Sequence, residues 1–164
     1  TVLRTLYIEE TAIHKGIAQT VWLGRMTKVA EHPYIYVDGA HNVAAWEYLR
    51  TSVEKYFTNR RVIYIIGVLK DKEYEKMVEI LAPTMAAAVV ITPDTPRGLP
   101  KEILAPLIQA QGVPVQLADT SAEALQKARE QAGETGVILV SGSLSFLAEY
   151  LQLESGDENN GASR

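Results

Sequence analysis

Polar side chains that could bind a ligand stand together in a few short segments of this 164-residue sequence. The segment Asp38–Asn42 follows the apolar run Tyr34–Val37 and includes His41. A carboxylate at such a place can accept hydrogen bonds from ribose hydroxyls, and an imidazole beside it can contact a phosphate or a ribose. A plainer interpretation stays open, in which Asp38 caps the next helix and His41 packs or faces solvent.

A second segment, Gly67–Lys72, carries two cations. Lys70 or Lys72 could reach a phosphate from the end of a strand. A solvated turn in which Asp71 caps the following helix is the interpretation that we favour.

Two more segments could bind anions. Arg97 lies in a loop with three prolines, where its planar guanidinium could clamp a carboxylate through two hydrogen bonds or bridge to a neighbouring Asp or Glu. The turn Ser141–Ser143 could approach an anion at a helix N-terminus, although it has neither P-loop nor dinucleotide-binding spacing.

Alternating strands and helices must position these segments. Short apolar runs without in-and-out alternation predict strands that are covered on both faces. These runs are Tyr34–Val37, Val62–Ile66, Ala88–Ile91, Pro114–Leu117 and Val137–Val140.

The stretches between the runs have helical spacing. The apolar stripes are Trp46, Leu49, Val53 and Tyr56, then Tyr74, Met77, Val78 and Leu81, then Ile103, Leu104, Leu107 and Ile108. A capping box from Thr120 to Glu123 begins a fourth helix that ends near Gly133, and Leu144–Leu153 forms a fifth. The pattern predicts a three-layer, Rossmann-like α/β fold with five parallel strands and helices on both faces. Residues 24–33 could add a short antiparallel strand.

The two ends differ from this core. Ile13, Ile17 and Val21 predict a helix within residues 5–22 that has no strand to pair with. We expect residues 1–23 to be the exit helix and linker of a preceding domain, residues 24–153 to form the α/β domain, and residues 154–164 to be a flexible tail. The start at Thr1 fits a piece of a longer protein.

Composition excludes several classes of protein. The absence of cysteine excludes disulfide frameworks, thiolate zinc sites and a cysteine nucleophile. A net charge of −4 without a basic block argues against nucleic-acid binding. No apolar run approaches the length of about 20 residues that spans a bilayer. We therefore expect a soluble, cytoplasmic domain without a membrane partner.

The segments, taken in order, resemble the C-terminal domain of the Mur ligase superfamily, and within it folylpolyglutamate synthase and its bifunctional dihydrofolate synthase form. Trp22–Met26 is similar to the family's W-P-G-R, Tyr36–Asn42 to D-G-A-H-N, Gly67–Lys72 to G-x-L-K-D-K, Pro96–Pro100 to P-R-x-L-P, and Ser141–Leu144 to G-S-L. Together they cover most of the chain.

The resemblance implies one domain of an ATP-dependent carboxylate–amine ligase. In this family a folate or pteroate carboxylate takes the γ-phosphate of ATP to give an acyl phosphate, which the amino group of L-glutamate attacks with release of phosphate. The sequence has no GxxxxGK[ST] motif, so the P-loop and the Mg²⁺ ligands are expected in a missing central domain. We expect no metal site and no catalytic residue in this piece alone, no activity by itself, and a monomeric parent.

The resemblance also implies roles for single residues. Arg25 would reach the ATP phosphates, Asp38 would hold the ribose or orient the closed state, and His41 would lie against the nucleotide. The segment from Asp94 to Arg97 is similar to the D-N-P-R motif of related ligases, so Arg97 would bind the glutamate carboxylate.

Two other hypotheses remain at this point. The chain could belong to a ligase that acts on a muramyl or cyanophycin acceptor, although Gly39 and the stretch Leu69–Lys72 favour folate. It could instead be a free-standing α/β nucleotide-binding or protein-binding module whose loops only cap helices.

Overall fold

A computed structural model describes residues 9–19, 24–143 and 147–150 of the chain. Six strands form one sheet: β1 (Thr27–Glu31), β2 (Tyr34–Asp38), β3 (Val62–Ile66), β4 (Ala87–Ile91), β5 (Val115–Ala118) and β6 (Val137–Ser141). Their order across the sheet is β1-β2-β6-β3-β4-β5. β1 pairs antiparallel with β2, and every other pair of neighbours is parallel.

The described helices are α1 (Glu10–Gln19), α2 (Val43–Tyr56), α3 (Tyr74–Leu81), α4 (Lys101–Ala110) and α5 (Ser121–Ala132). A short 3₁₀ helix, Ala82–Thr84, follows α3, and residues 147–150 are helical. This alternation is the predicted one, and the predicted extra strand is β1. The ends of the predicted first and last helices and the predicted tail lie outside the described residues.

The central strand β3 shows why the fold has three layers. All five of its side chains are buried. Tyr64 and Ile66 belong to a core with residues of α2, α3 and α4, whereas Ile63 and Ile65 belong to a second core with residues of α5 and with Leu147 and Tyr150. Since successive side chains of a strand point to opposite faces, one apolar run supplies both cores.

Three details of the sequence prediction are wrong. β5 is not covered on both faces, because it is the edge strand and its Gln116 and Leu117 are exposed. Tyr56 and Ile103 also lie on exposed helix surface instead of in the core. In the two helices the periodic stripe extends one residue beyond the buried face.

Candidate functional site

The carboxylate of Asp38 holds two backbone segments together at the carboxyl end of β2. Its Oδ2 accepts a hydrogen bond from the N–H of Met26 at 2.8 Å, and its Oδ1 accepts one from the N–H of Ala40 at 2.8 Å. The residue is only 6% exposed. Asp38 therefore does not cap α2, and the interpretation of the sequence that made it a helix cap is wrong. It fixes residues 24–26 beside the strand.

Arg25 is brought to this edge by the same contacts. The N–H of Gly39 donates to the carbonyl of Gly24 at 2.6 Å, so the backbone on both sides of Arg25 is tied to the carboxyl end of β2, at Asp38 and Gly39. Met26 has a φ of +44°, in the left-handed region that costs a non-glycine residue strain. The exposed Arg25 side chain thus projects from a short, fixed bend.

His41 follows on the same edge, and one of its ring nitrogens is hydrogen-bonded within the chain. Its Nδ1 lies 2.7 Å from the carbonyl oxygen of Gly39. A carbonyl only accepts hydrogen bonds, so Nδ1 carries the proton and Nε2 is the nitrogen that a ligand can meet. Asn42, not Asp38, is the N-cap of α2: its side-chain oxygen accepts from the N–H of Ala45 at 2.9 Å.

The carbonyl of Ala40 joins this edge to the middle of the sheet. It accepts hydrogen bonds from the Trp46 indole N–H at 3.0 Å, from the Gly142 N–H at 3.1 Å, and from the Ser141 hydroxyl at 3.3 Å. Gly142 has a φ of +118°, and a Cβ there would lie 2.5 Å from the carbonyl oxygen of Gly67. Only glycine fits that close approach of the β3 and β6 ends.

The loops after β3 and β4 are paired with each other. Leu69 and Gly98 form an isolated antiparallel bridge, with hydrogen bonds from the Lys70 N–H to the Arg97 carbonyl and from the Leu99 N–H to the Val68 carbonyl, both 2.9 Å long. Lys70 is exposed beside this bridge.

Arg97 forms an ion pair with Asp71 across these loops. Its Nε and Nη2 donate to the two carboxylate oxygens at 3.2 and 2.6 Å. This hydrogen-bonded guanidinium lowers the pKa of the Asp71 carboxyl below its ordinary value. The sequence prediction that Asp71 caps the next helix is wrong, since Glu73 is the N-cap residue of α3.

An open cleft of about 750 Å³ lies further along the same sheet edge, at the ends of β4 and β5. Acidic and hydroxyl side chains line it, among them Asp94, Ser121 and Glu149, and the Ser121 hydroxyl donates to the Glu149 carboxylate. Asp119, another lining residue, forms an ion pair with Lys101. Because Glu149 belongs to a segment far along the chain, no sequence motif indicated this cleft.

The structure therefore brings Arg25, Asp38 and His41 together and places Arg97 on a neighbouring loop. Sequence reasoning anticipated that Arg97 could bridge to an Asp or Glu but did not identify Asp71, and it missed Trp46 as a donor to the edge. Within Gly67–Lys72 an acidic residue stands between two lysines, and this pattern could have indicated that Asp71 forms an ion pair.

Within the described ranges 9–19, 24–143 and 147–150, no group of three or more His, Cys, Asp or Glu residues is placed to hold a metal ion. No helix among these same residues has both the length and the apolar character needed to cross a membrane.

Comparisons with known proteins converge on one group. The family model described as "Mur ligase, glutamate ligase domain" matches residues 24–144. The chain is 28% identical over 144 residues to the dihydrofolate synthase/folylpolyglutamate synthase of Bacillus subtilis, covering 87% of this chain and 33% of that protein. It is 30% identical over 148 residues to the protein of the same name from Escherichia coli, covering 90% and 34%.

The fold has a matching counterpart among solved structures. The E. coli FolC in complex with DHPP and ADP superimposes with a TM-score of 0.83 at 28% sequence identity. The match covers 92% of this chain and 36% of that chain. The chain thus spans about a third of the length of these relatives.

Proposed function

This chain belongs to the Mur ligase family through its glutamate ligase domain, and on that premise we propose that it is the C-terminal domain of a folylpolyglutamate synthase/dihydrofolate synthase. The complete protein would add L-glutamate to a folate or dihydropteroate carboxylate. The bound ATP would supply the phosphoryl group that activates this carboxylate. The two dihydrofolate synthase/folylpolyglutamate synthase relatives and the match to FolC support folate over the muramyl and cyanophycin acceptors.

The observation that carries the proposal is the Asp38 junction. One buried carboxylate holds the backbone beside Arg25 and the backbone before His41 at a single sheet edge. A cationic guanidinium and an imidazole whose Nε2 has no hydrogen-bond partner within the described part of the chain are groups that suit a polyphosphate and a ribose. The donor set present therefore fits a nucleotide. We assign ATP contacts to Arg25 and His41, and to Asp38 the orientation of the closed state or a contact to the ribose.

Arg97 is the proposed glutamate-binding residue. Its guanidinium already holds one carboxylate through two hydrogen bonds, which is the geometry that an amino acid's carboxylate requires. The loop that carries it is held by the backbone bridge to Leu69.

The rest of the enzyme is proposed to lie outside this chain. Residues 1–23 would lead out of a central P-loop domain that holds the Mg²⁺ ligands, residues 24–153 would form the domain described above, and residues 154–164 would be a tail. We place the enzyme in the cytoplasm, as a monomer whose two domains close over ATP.

The test is an assay of the complete protein with ATP, L-glutamate and either dihydropteroate or tetrahydrofolate. ADP formation should require both the glutamate and the pterin substrate, and the 164-residue chain alone should give none. Arg25→Ala should raise the KM for ATP by about tenfold or more, the loss of one hydrogen bond from a charged group.

Arg50→Ala is the matched control. Arg50 is another arginine on the surface, paired with Glu54 on α2. The Arg50→Ala substitution should leave the KM for ATP unchanged. ADP formation that does not depend on glutamate, or equal effects of the two substitutions, would contradict the proposal.

A further inference from the structure

The ion pair between Arg97 and Asp71 is not needed to hold its two loops together. The backbone does this with two hydrogen bonds, from Lys70 to Arg97 and from Leu99 to Val68, and with the bridge of Leu69 to Gly98. A Cβ at Gly98 would lie 2.3 Å from the Pro93 carbonyl oxygen, so the Arg97 loop is also folded tightly on itself. The side-chain pair is formed on a surface that is already ordered.

The pair is open to exchange. The Arg97 side chain is 58% exposed and that of Asp71 is 43% exposed. Exposed ion pairs contribute little net stability, because water and salt compete with them. Asp71 has a second cation nearby, since Lys72 Nζ lies 3.8 Å from its Oδ2. Its carboxylate can therefore leave Arg97 without losing every positive neighbour.

The group that Asp71 presents to Arg97 is chemically the group that an amino acid would present. Both carboxylate oxygens of Asp71 face the guanidinium, one on Nε and one on Nη2. The lowered pKa of Asp71 means that this carboxyl is ionised at neutral pH. The structure thus shows Arg97 with its carboxylate-binding positions already occupied by the protein itself.

We propose that Asp71 is a specificity-determining residue that occupies Arg97 as an internal carboxylate, which the carboxylate of the incoming amino acid must displace. The inference rests on the proposed function, with Arg97 as the glutamate-binding residue. Asp71 sets the threshold for binding: a ligand with a carboxylate and further contacts displaces it, whereas a simple carboxylate at low concentration does not.

The test compares the steady-state constants of the complete ligase and of its Asp71→Asn variant at saturating ATP and pterin substrate. The variant keeps the shape of the side chain and loses its charge. The KM for L-glutamate should fall about two- to fivefold, the range that an exposed ion pair contributes, while kcat stays the same. Because Arg97 is then free, the inhibition constant of acetate, used as a simple carboxylate probe, should fall by a similar factor.

Two further variants separate displacement from general charge effects. Glu73→Gln removes a negative charge two residues away, from an exposed side chain paired with Lys76, and should not change the KM for L-glutamate. In an Arg97→Ala background, Asp71→Asn should have no effect on that KM.

A higher KM or a lower kcat in Asp71→Asn, with an unchanged melting temperature, would show that Asp71 supports the loop and would overturn the inference. An equal fall of KM in Glu73→Gln, or in the Arg97→Ala background, would also overturn it. Failure of the proposed function looks different: the unsubstituted enzyme would then form no ADP in response to L-glutamate. In that case acetate binding, read from the Arg97 Nε–H NMR signal of both forms, still decides whether Asp71 competes.

Discussion

Replacing Asp38 by Asn should detach residues 24–26 from the end of β2 and lower the stability of the chain even when no nucleotide is present. Asp38 accepts from two backbone N–H groups, one on each carboxylate oxygen. An asparagine has one oxygen, so its NH₂ group must face either Met26 or Ala40, and that backbone N–H loses its acceptor.

The size of the effect follows from the burial of this carboxylate. A hydrogen bond to a charged group contributes about 1.5–3 kcal/mol, and a buried N–H without an acceptor costs a similar amount. Since Asp38 is 6% exposed, water replaces the lost acceptor poorly. We expect a loss of about 1.5–3 kcal/mol in the free energy of unfolding, which corresponds to a fall in melting temperature of about 3–12 °C for a domain of this size.

The assay is urea unfolding combined with amide hydrogen exchange of the 164-residue chain. In Asp38→Asn, the amide of Met26 or that of Ala40 should lose its protection, while the amides of β3 should change only with global stability. Asp94→Asn is the control, because Asp94 is an exposed aspartate that follows β4 at the same sheet edge; its cost should stay within about 0.5 kcal/mol.

Unchanged protection of both amides in Asp38→Asn would refute the structural role of this carboxylate. So would equal costs for the two substitutions. Either result would leave binding of a ligand as the reason for an aspartate at this position.

The other predictions concern the close approach of two strands and the response to acid. Gly142→Ala should cost about 2–5 kcal/mol in urea unfolding, because it adds a clash with the Gly67 carbonyl to the strain of a positive φ. Its control is Gly112→Ala, which has a φ of +81° and nothing within 4 Å of the added Cβ, and should cost about 1–2 kcal/mol. The Glu123 carboxylate accepts hydrogen bonds from the Asp119 N–H and from the Lys127 ammonium group. Both bonds lower the pKa of this carboxyl below its ordinary value of 4.5, and the bond from Asp119 has the larger effect. Its contribution to stability is therefore complete above pH 4.5 and is lost as the pH falls through the folded-state pKa, so Glu123→Gln should reduce the acid sensitivity of the unfolding free energy.

Each of these predictions can fail in a recognisable way. Equal costs for the two glycine substitutions would mean that the ends of β3 and β6 separate easily. An unfolding free energy that responds to acid identically with and without Glu123 would mean that its two hydrogen bonds are not formed in solution.

Much of the fold could be predicted from the sequence because it depends on local patterns. All side chains of the apolar run Val62–Ile66 can be buried only in a strand with a core on each face, and β3 is such a strand. The capping residue Thr120 accepts from the Glu123 N–H as predicted, and Gly133 ends α5 with a positive φ. Errors occurred at the margins of the structure, as at the edge strand β5, because burial of the faces of a strand depends on how far the covering helices extend.

Less of the candidate site could be predicted. The motif that includes Asp38 and His41 was visible, and so was the short bend with Arg25. Their hydrogen-bond partners were not, since a strand-end aspartate can cap a helix, bind a ligand or hold a loop with equal chemical sense. The ion pair of Arg97 with Asp71 joins residues 26 positions apart, and no local rule selects that partner.

The sequence by itself determined which segments become strands and helices, and that their polar ends share one edge, because backbone propensity and the period of apolar residues act between near neighbours. Only the tertiary structure decided which of these ends touch. The last strand, β6, inserts between β2 and β3, and this brings Ser141 to the Ala40 carbonyl across 101 residues of sequence. Strand order is set by the packing of the two cores as a whole, so the contacts that build the site follow from the assembled sheet.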